Sequence, residues 1–203
     1  MHPSKIVCVG RNYVEHAREM GNDVPKEPLF FLKAPSSLIR EGEAIVLPTV
    51  SQHVEFEGEI AVVLGRRLCK ATEAEARAAV VSVVALNDVT ARDLQRTDGQ
   101  WTRAKGMDTF CPVGTPVPAP DDLDAIELVT RVNGEVCQRA TGADMVFKIP
   151  MVLAYISRFL TLEPGDLVAT GTPAGTRAIH PGDVVEVELV GLSRVANPVI
   201  AGT

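Results

Sequence analysis

The 203-residue chain lacks an excess of basic residues, a long apolar run and an apolar leader segment. Its formal net charge is -6, so a nucleic-acid-binding surface is not expected. An anionic substrate would therefore need local positive charge from a few Arg or Lys side chains or from a metal. The apolar runs have strand length and are interrupted by charge, which predicts no membrane span. No secretory signal is predicted either, and we expect a cytoplasmic protein.

Closely spaced cysteines are also missing. The four cysteines stand at positions 8, 69, 111 and 137 and form no Cys-x-x-Cys pair. The four histidines, at positions 2, 16, 53 and 180, are equally far apart, so we expect no zinc site built from these residues. This spacing predicts reduced thiols that lie in the core or are half-buried.

The hydrophobic content of 46% predicts a packed globule of one domain over residues 1–203. Short apolar segments dominate, and Asn133-Gly134 predicts a hairpin between two of them. Because the regular βαβ alternation is absent, the pattern indicates an α+β, mainly β fold. Its helices are predicted over 11–20, after a Thr72 cap, and after a Thr90 cap with Asp93 in the first turn. The longest is predicted from residue 144 to a stop near 163–165.

The segment HVEFEGEIAVVLG, residues 53–65, places three carboxylates before an apolar run. Read as one strand, it directs Glu55, Glu57 and Glu59 to the same face. Such an arrangement is favourable when a cation lies between the acids, and oxygen ligands select Mg²⁺ or Mn²⁺. Asp88, where an apolar strand gives way to a turn, is the predicted third ligand. A solvated strand face and a capping aspartate are the alternatives, and for Glu55 a structural or exposed role is favoured.

A second candidate pair lies in RNYVEHAREMG. On a helix, His16 and Glu19 are spaced i, i+3 and share a face. A carboxylate that holds one imidazole nitrogen leaves the other free to act as a general base. A surface ion pair is the alternative interpretation.

Two further segments complete the set of candidates. Lys105, in RAKGMDTFCPVG, is predicted to be a partly enclosed cation, with a solvated loop lysine as the alternative. The turn over residues 171–175, GTPAG, offers backbone donors to a carboxylate, although such turns are more often plain connections.

Taken in order, these segments resemble the fumarylacetoacetate hydrolase family. The resemblance begins at VCVGRNYVEHAREMG and continues through EPLFFLKAPSSL, EFEGEIAVVLG, LNDVTARDLQ, RAKGMDTFCPVG, VNGEVCQ, DMVF and LVATGTPAG. It covers nearly the whole chain, and the length and first motif are similar to the short acylpyruvase and fumarylpyruvate hydrolase branch. The resemblance implies a mixed β roll with a few short helices and an N-terminal lid helix, assembled as a homodimer.

The resemblance also implies the roles of the candidate residues. Glu57, Glu59 and Asp88 become metal ligands, and His16 with Glu19 becomes a catalytic dyad on a helix that closes over the substrate.

Five further residues acquire roles from the same resemblance. Lys105 would meet negative charge, and Gln95 would position a reacting group. Less secure substrate contacts are expected from Arg11, Tyr13 and Thr172. Arg177, which departs from the family pattern, is expected to be exposed.

The implied activity is metal-dependent hydrolysis of the C–C bond of a 2,4-diketo acid such as an acylpyruvate or fumarylpyruvate. Oxaloacetate decarboxylation and isomerisation of a hydroxymuconate-type diacid use the same enolate and stay open as alternatives. A non-catalytic metal-binding protein on this fold is the alternative from another class.

Overall fold

The structure is a computed structural model that describes residues 2–21 and 23–203. Short strands outnumber helices in these ranges, which confirms the α+β, mainly β class. The strands are β1 (Ile6–Gly10), β2 (Leu29–Lys33), β3 (Leu38–Ile39), β4 (Ile45–Leu47), β5 (Val54–Glu55), β6 (Gly58–Leu64), β7 (Val80–Asn87), β8 (Thr90–Ala91), β9 (Cys111–Pro112), β10 (Val117–Pro118), β11 (Glu127–Val132), β12 (Glu135–Thr141), β13 (Leu167–Ala169), β14 (Val184–Leu189) and β15 (Ser193–Ala201).

The helices are all short. They are α1 (Val14–Glu19), α2 (Glu73–Ala79), α3 (Arg92–Thr97), α4 (Thr102–Lys105) and α5 (Ile149–Ile156), with 3₁₀ turns at Pro35–Ser37 and Gly142–Asp144. None of the helices in the described ranges is long and apolar enough to cross a membrane.

Two mixed sheets form the body of the molecule. The first has six strands in the order β10-β7-β6-β13-β1-β2, and the second has five in the order β12-β11-β14-β15-β4. The largest apolar cluster combines side chains of both sheets with those of α2 and α5. The strands that carry the candidate acids are central in the first sheet, because β6 pairs with both β7 and β13. These acids are therefore held by a buried, rigid framework.

Sequence patterns locate many elements correctly. The capping box of Thr72 and Glu75 is present at the start of α2, and β11 and β12 form a hairpin around Asn133-Gly134. Cys8 and Cys111 are buried and Cys137 is half-buried, as expected for free thiols, but Cys69 is exposed. Burial raises the pKa of the Cys111 thiol to about 12.

The segment 53–65 is not one strand. It divides into β5 and β6, and the residues between them leave the ladder. β5 pairs with β8, so that Glu55 lies opposite Thr90. Glu55 consequently belongs to a different pair of strands from Glu59 and contacts different partners.

The predicted cap at Thr90 is wrong, because the pairing of β5 with β8 takes precedence over helix capping. The Thr90 hydroxyl donates to the Asp88 carbonyl at 2.8 Å, and α3 begins two residues later without a side-chain cap. Asp93 instead accepts a hydrogen bond from Ser51 at 2.6 Å.

The long helix predicted from residue 144 is also wrong. Helix α5 has eight residues, and Pro150 at its start lacks the amide that an earlier turn would need. Before it, Asn12 binds the backbone of Val146 and Phe147 in an extended form, with the Phe147 amide donating to Asn12 Oδ1 at 2.8 Å. After it, Leu162 pairs with Leu68. These contacts between distant segments end the helix on both sides.

Candidate metal and active site

Three carboxylates meet where the β6–β7 ladder ends. Gly58 pairs with Asn87 at the end of that ladder, so Glu57 and Asp88 diverge just beyond it while Glu59 lies within it. The Asp88 amide donates to the Glu57 carbonyl at 2.8 Å. One oxygen from each of Glu57, Glu59 and Asp88 lies within 4.8 Å of the others, and all three residues are buried. The structure therefore brings the three predicted ligands together.

Two buried lysines neutralise part of this charge. Lys105 Nζ donates to Glu57 Oε2 at 2.6 Å and to Asp88 Oδ2 at 2.7 Å. Lys33 Nζ donates to Asp88 Oδ1 at 2.6 Å and to the carbonyl of Lys105. Burial alone would lower the pKa of Lys105, but Asp88 and Glu57 raise it. Lys105 is thus held in its charged form by the acids, and Lys33 forms a second buried ion pair with Asp88.

Glu59 differs from its two neighbours because it has no ion pair with any residue in the described ranges. Its one hydrogen bond there comes from the Gly171 amide, at 2.8 Å from Oε2. Burial, together with repulsion from Asp88 and Glu57, raises the pKa of Glu59. A buried carboxylate without a counter-charge, beside two others, offers the all-oxygen donor set that Mg²⁺ or Mn²⁺ prefers. The residues therefore fit a divalent cation.

The predicted dyad forms on α1. His16 is buried, and its Nδ1 lies 3.2 Å from Glu19 Oε2. Glu19 is held from the other side, because the Gly175 amide donates to both of its oxygens at 3.2 Å. The turn over residues 171–175 therefore fixes Glu19 with one amide and Glu59 with another. Its start requires glycine, since Gly171 has φ of 106° and an added Cβ would lie 2.8 Å from Asn12 Cβ.

A buried arginine is part of the site although its sequence pattern does not predict it. Arg92 Nη2 lies 2.7 Å from Glu57 Oε1, and Arg92 Nη1 donates to Gln95 Oε1 at 2.6 Å. Glu55 accepts from Arg92 Nε at 2.9 Å and contacts His53 Nε2 at 2.8 Å. Glu55 is therefore a structural acid that orients Arg92.

The charged neighbours of Glu57 lower its pKa strongly. Burial alone would raise the pKa of Glu57, but Lys105 and Arg92 hold it well below its usual range. Lys33 and Arg92 escape prediction because a charge at the end of a strand or in a polar turn usually reaches solvent. The signal that could find them is charge balance: several acids beside buried aliphatic residues need buried counter-charges.

One cavity of about 380 Å³ contains most of the predicted residues. Those that line it are His16, Glu19, Glu57, Lys105, Gln95, Arg11 and Thr172. The structure places Tyr13 elsewhere: it lies in the core beside Met145, and its hydroxyl has no hydrogen-bond partner among the described residues. Arg177 is exposed, as expected, and pairs with Glu135 at 3.1 Å.

The family assignment follows from a match over almost the whole chain. Residues 5–200 match the family described as fumarylacetoacetate (FAA) hydrolase C-terminal. The chain belongs to the fumarylacetoacetate hydrolase family. The members of this family that it resembles are named as hydrolases, isomerases and tautomerases.

Three relatives within the fumarylacetoacetate hydrolase family illustrate that range. The human mitochondrial oxaloacetate tautomerase FAHD2A is 41% identical over 212 residues, which span 98% of this chain and 67% of that protein. The crystal structure of 5-carboxymethyl-2-hydroxymuconate delta-isomerase from Mycobacterium smegmatis is 40% identical, has a TM-score of 0.92 and covers 100% of this chain and 81% of that one. Fumarylpyruvate hydrolase from Pseudomonas aeruginosa, solved with Mn²⁺ and pyruvate, is 29% identical, with a TM-score of 0.92 and coverage of 98% and 91%.

Proposed function

We propose that this chain is a divalent-metal-dependent hydrolase that cleaves the C–C bond of a 2,4-diketo acid to give pyruvate and a carboxylic acid. The observation that carries the proposal is the shared cavity: Glu57, one of three clustered carboxylates, lines the same space as the His16–Glu19 pair. This combination provides a cation site and a general base beside one another.

His16 would act on water. With Nδ1 held by Glu19, Nε2 is the nitrogen that accepts a proton from water. The water oxygen bonds to C4 of the substrate, the C3–C4 bond breaks, and its electron pair forms the enolate of pyruvate. Protonation of that enolate at C3 completes the products.

The other residues would balance charge and hold the substrate. Glu57, Glu59 and Asp88 would bind Mg²⁺ or Mn²⁺, which when present stabilises negative charge on the 2-oxo group as a Lewis acid. Lys105 would supply additional positive charge at the cavity floor, and Gln95, fixed by Arg92, would position the reacting group.

A second candidate is enolate chemistry on oxaloacetate without an attacking water. The 41% identity to the human oxaloacetate tautomerase favours it, and the similarity to the M. smegmatis isomerase favours the related isomerisation of a hydroxymuconate-type diacid. Decarboxylation of oxaloacetate would use the same enolate. In decarboxylation the dyad is less necessary than in hydrolysis, because no water attacks the substrate.

The test compares pyruvate release from acetylpyruvate, fumarylpyruvate and oxaloacetate, with Mg²⁺ or Mn²⁺ and with EDTA. We expect metal-dependent cleavage of a diketo acid, and His16→Ala should lower its rate at least about 10²- to 10⁴-fold while Mn²⁺ binding persists. His180→Ala is the matched control, because His180 is exposed and also has an acid at i+3, Asp183. Pyruvate release from oxaloacetate alone would move the assignment to decarboxylation. Mn²⁺ retention without pyruvate release from any of the three would leave isomerisation, tautomerisation or a non-catalytic metal-binding protein.

Assembly, location and domain boundaries stay predictions. We propose a cytoplasmic homodimer whose catalytic domain spans residues 1–203, without nucleic-acid or membrane partners. Light scattering of the purified chain tests the dimer directly.

A further inference from the structure

The turn over residues 171–175 joins the two halves of the proposed site. Its Gly171 amide binds Glu59, and its Gly175 amide binds Glu19. The position of this turn therefore fixes a predicted metal ligand and the orienting acid of the dyad together. The groups that hold the turn in place determine the geometry of both.

A buried glutamine lies next to this turn. Gln138 belongs to β12 of the second sheet and is 1% exposed, although glutamine side chains are mostly exposed in proteins. Thr130 faces Gln138 in the β11–β12 ladder, and the next pair is Arg131 with Val136. Cys137 is thus the extra residue of a β-bulge, a feature that redirects side chains and is common next to active sites. Burial of the Gln138 amide would be unfavourable unless its polar atoms were hydrogen-bonded.

Both polar atoms of the Gln138 amide form hydrogen bonds. Its Oε1 accepts from the Gly58 amide at 3.0 Å. Its Nε2 donates to Thr172 Oγ1 at 2.8 Å and to the Pro173 carbonyl at 2.7 Å. These partners determine the orientation of the amide, because the Gly58 N–H can only donate and the Pro173 carbonyl can only accept. Thr172 Oγ1 donates in turn to the Gly58 carbonyl at 2.9 Å, so that Gln138 and Thr172 together bind both backbone polar groups of Gly58.

Gly58 lies between two of the clustered carboxylates. A Cβ added to Gly58 would lie 1.9 Å from Thr130 Oγ1 and 3.1 Å from Gln138 Oε1, so the second sheet is in direct contact with the backbone here. Since Glu57 and Glu59 are the neighbours of Gly58 in the chain, a shift of Gly58 would move both acids.

The turn also packs directly against β12. A Cβ added to Gly175 would lie 2.2 Å from the Cys137 carbonyl oxygen and 3.5 Å from Gln138 Cγ. Gln138 thus contacts the turn by packing as well as through its two hydrogen bonds.

We infer that Gln138 is a positioning residue that couples the cation site to the dyad, an inference that rests on the proposed function. Gln138 holds Gly58, and with it Glu57 and Glu59. It also holds the turn whose amides bind Glu59 and Glu19. Because Gln138 is not among the described residues that line the cavity of the dyad, it acts through these groups and not on a ligand.

Gln138→Met tests the coupling, because methionine has a similar length and fills space well but cannot form the hydrogen bonds of the amide. We expect Mn²⁺ binding, measured by isothermal titration, to weaken about 10- to 100-fold, the range found for residues that orient metal ligands. At saturating Mn²⁺, kcat for the cleaved diketo acid should fall at least about tenfold with a smaller change in KM, because the base is no longer aligned. Both measurements are made at a temperature at which circular dichroism shows the variant to be folded.

Thr130→Val is the matched control. Thr130 is buried opposite Gln138 and beside Gly58, but its hydroxyl has no hydrogen-bond partner in the described part of the chain. Valine keeps the shape of the side chain, so Mn²⁺ affinity and kcat should stay close to the wild-type values. Equal losses in Thr130→Val, or a Gln138→Met chain that is less stable but keeps its Mn²⁺ affinity and kcat, would overturn the inference.

Gln138→Glu serves as a second variant in case Gln138→Met does not fold. Its ionised carboxylate has the same shape and can accept from Gly58, but it cannot donate to Thr172 and Pro173. The turn is then released while the bond to Gly58 persists, and kcat at saturating Mn²⁺ should again fall. An unchanged kcat in this variant would contradict the positioning role.

A spectroscopic measurement separates this inference from the proposed function. In the Mg²⁺-loaded chain, the imidazole NMR signals of His16, identified by their loss in His16→Ala, should shift in both Gln138 variants and not in Thr130→Val. If no diketo acid is cleaved but these shifts and the loss of Mn²⁺ affinity are observed, the hydrolase proposal fails and the positioning role of Gln138 stands. If a diketo acid is cleaved and the Gln138 variants change neither the signals nor kcat, the hydrolase stands and the positioning role fails.

Discussion

Two segments of this molecule each carry a pair of glutamates spaced two residues apart, and the two pairs differ in burial and in counter-charges. Glu57 immediately precedes β6 and Glu59 lies within it, whereas Glu186 and Glu188 both lie on β14. By alternation alone, each pair shares one face of its strand. In the described ranges, however, the cluster of acids that fits a metal includes Glu57 and Glu59 and excludes the pair on β14.

The β14 acids are neutralised by arginines on neighbouring strands. Arg131 lies opposite Glu186 in the ladder and binds both Glu186 and Glu188, at 2.9 and 2.7 Å. Arg194 on the other side binds Glu186 at 2.6 Å. Every acid of this ladder has an arginine partner, and the group is partly exposed to solvent.

The acids near β6 are buried, and their counter-charges come from distant segments of the chain. Lys33 and Lys105 bind Asp88, and Lys105 with Arg92 binds Glu57. Within residues 2–21 and 23–203, Glu59 forms no ion pair. Burial combined with an unbalanced carboxylate therefore distinguishes a cation site from a surface ladder. Local spacing brings the acids of each pair together, and contacts with the rest of the fold determine whether they are neutralised by arginines or available to a cation.

The largest expected contrast is in stability. Lys33→Met removes one of the two buried lysines that bind Asp88, and breaking a buried ion pair costs about 3–5 kcal/mol of unfolding free energy. Arg131→Met removes a partly exposed partner and should cost less than about 1 kcal/mol. Urea denaturation of both variants in EDTA measures the difference, and equal losses would contradict the comparison.

A second variant tests whether charge causes the loss. If the reduced compensation of the Asp88 carboxylate is responsible, Lys33→Met combined with Asp88→Asn should recover part of the stability. If the double variant is no more stable than Lys33→Met, the packing of the lysine chain, and not its charge, accounts for the loss.

Metal binding should likewise depend more on the acids near β6 than on those of β14. Glu59→Gln removes a predicted ligand and should weaken Mn²⁺ binding at least about 100-fold, the upper end of the effect of an outer-shell partner. The double variant Glu186→Gln, Glu188→Gln removes two acids from β14, one more than Glu59→Gln removes, and should bind Mn²⁺ as the wild-type chain does. Isothermal titration measures both, and weaker binding in the β14 variant would show that bulk charge, not a site, attracts the ion.

The parts of the site that the sequence predicts are those set by local spacing. His16 and Glu19 meet because they are one helical turn apart, and Glu57 and Glu59 come together because they are two residues apart where β6 begins. Lys33 lies 55 residues from Asp88 in the chain, so no local pattern indicates their contact.

Contacts between distant residues also limit how well local patterns predict the fold. β15 is not predicted, because Pro198 lies within it and proline usually excludes a strand. At this point β15 changes partner, from β14 through Val184–Pro198 to β4 through Val199–Ile45. The helix expected over 144–165 fails for a related reason, since Asn12 binds its first part in an extended form. Contacts between distant residues override local propensity in both cases.

The smallest expected effect is the pH dependence of the β14 ladder. Burial alone would raise the pKa of Glu186, but hydrogen bonds and charge from Arg194 and Arg131 lower it overall. A carboxyl group whose pKa is lower in the folded state stabilises the fold above its unfolded value, about 4.3, and loses that contribution as the pH falls through the folded value. Glu186→Gln should therefore be less stable than the wild-type chain at pH 7, by less than about 1 kcal/mol.

This difference should shrink as the pH falls below about 4.3, and 1 M salt at pH 7 should reduce it as well, because exposed charges are screened. Urea midpoints at neutral and acidic pH, with and without salt, measure both trends. A difference that is independent of pH and salt would mean that Glu186 stabilises β14 through packing, and the two acid pairs would then differ in more than their burial and their counter-charges.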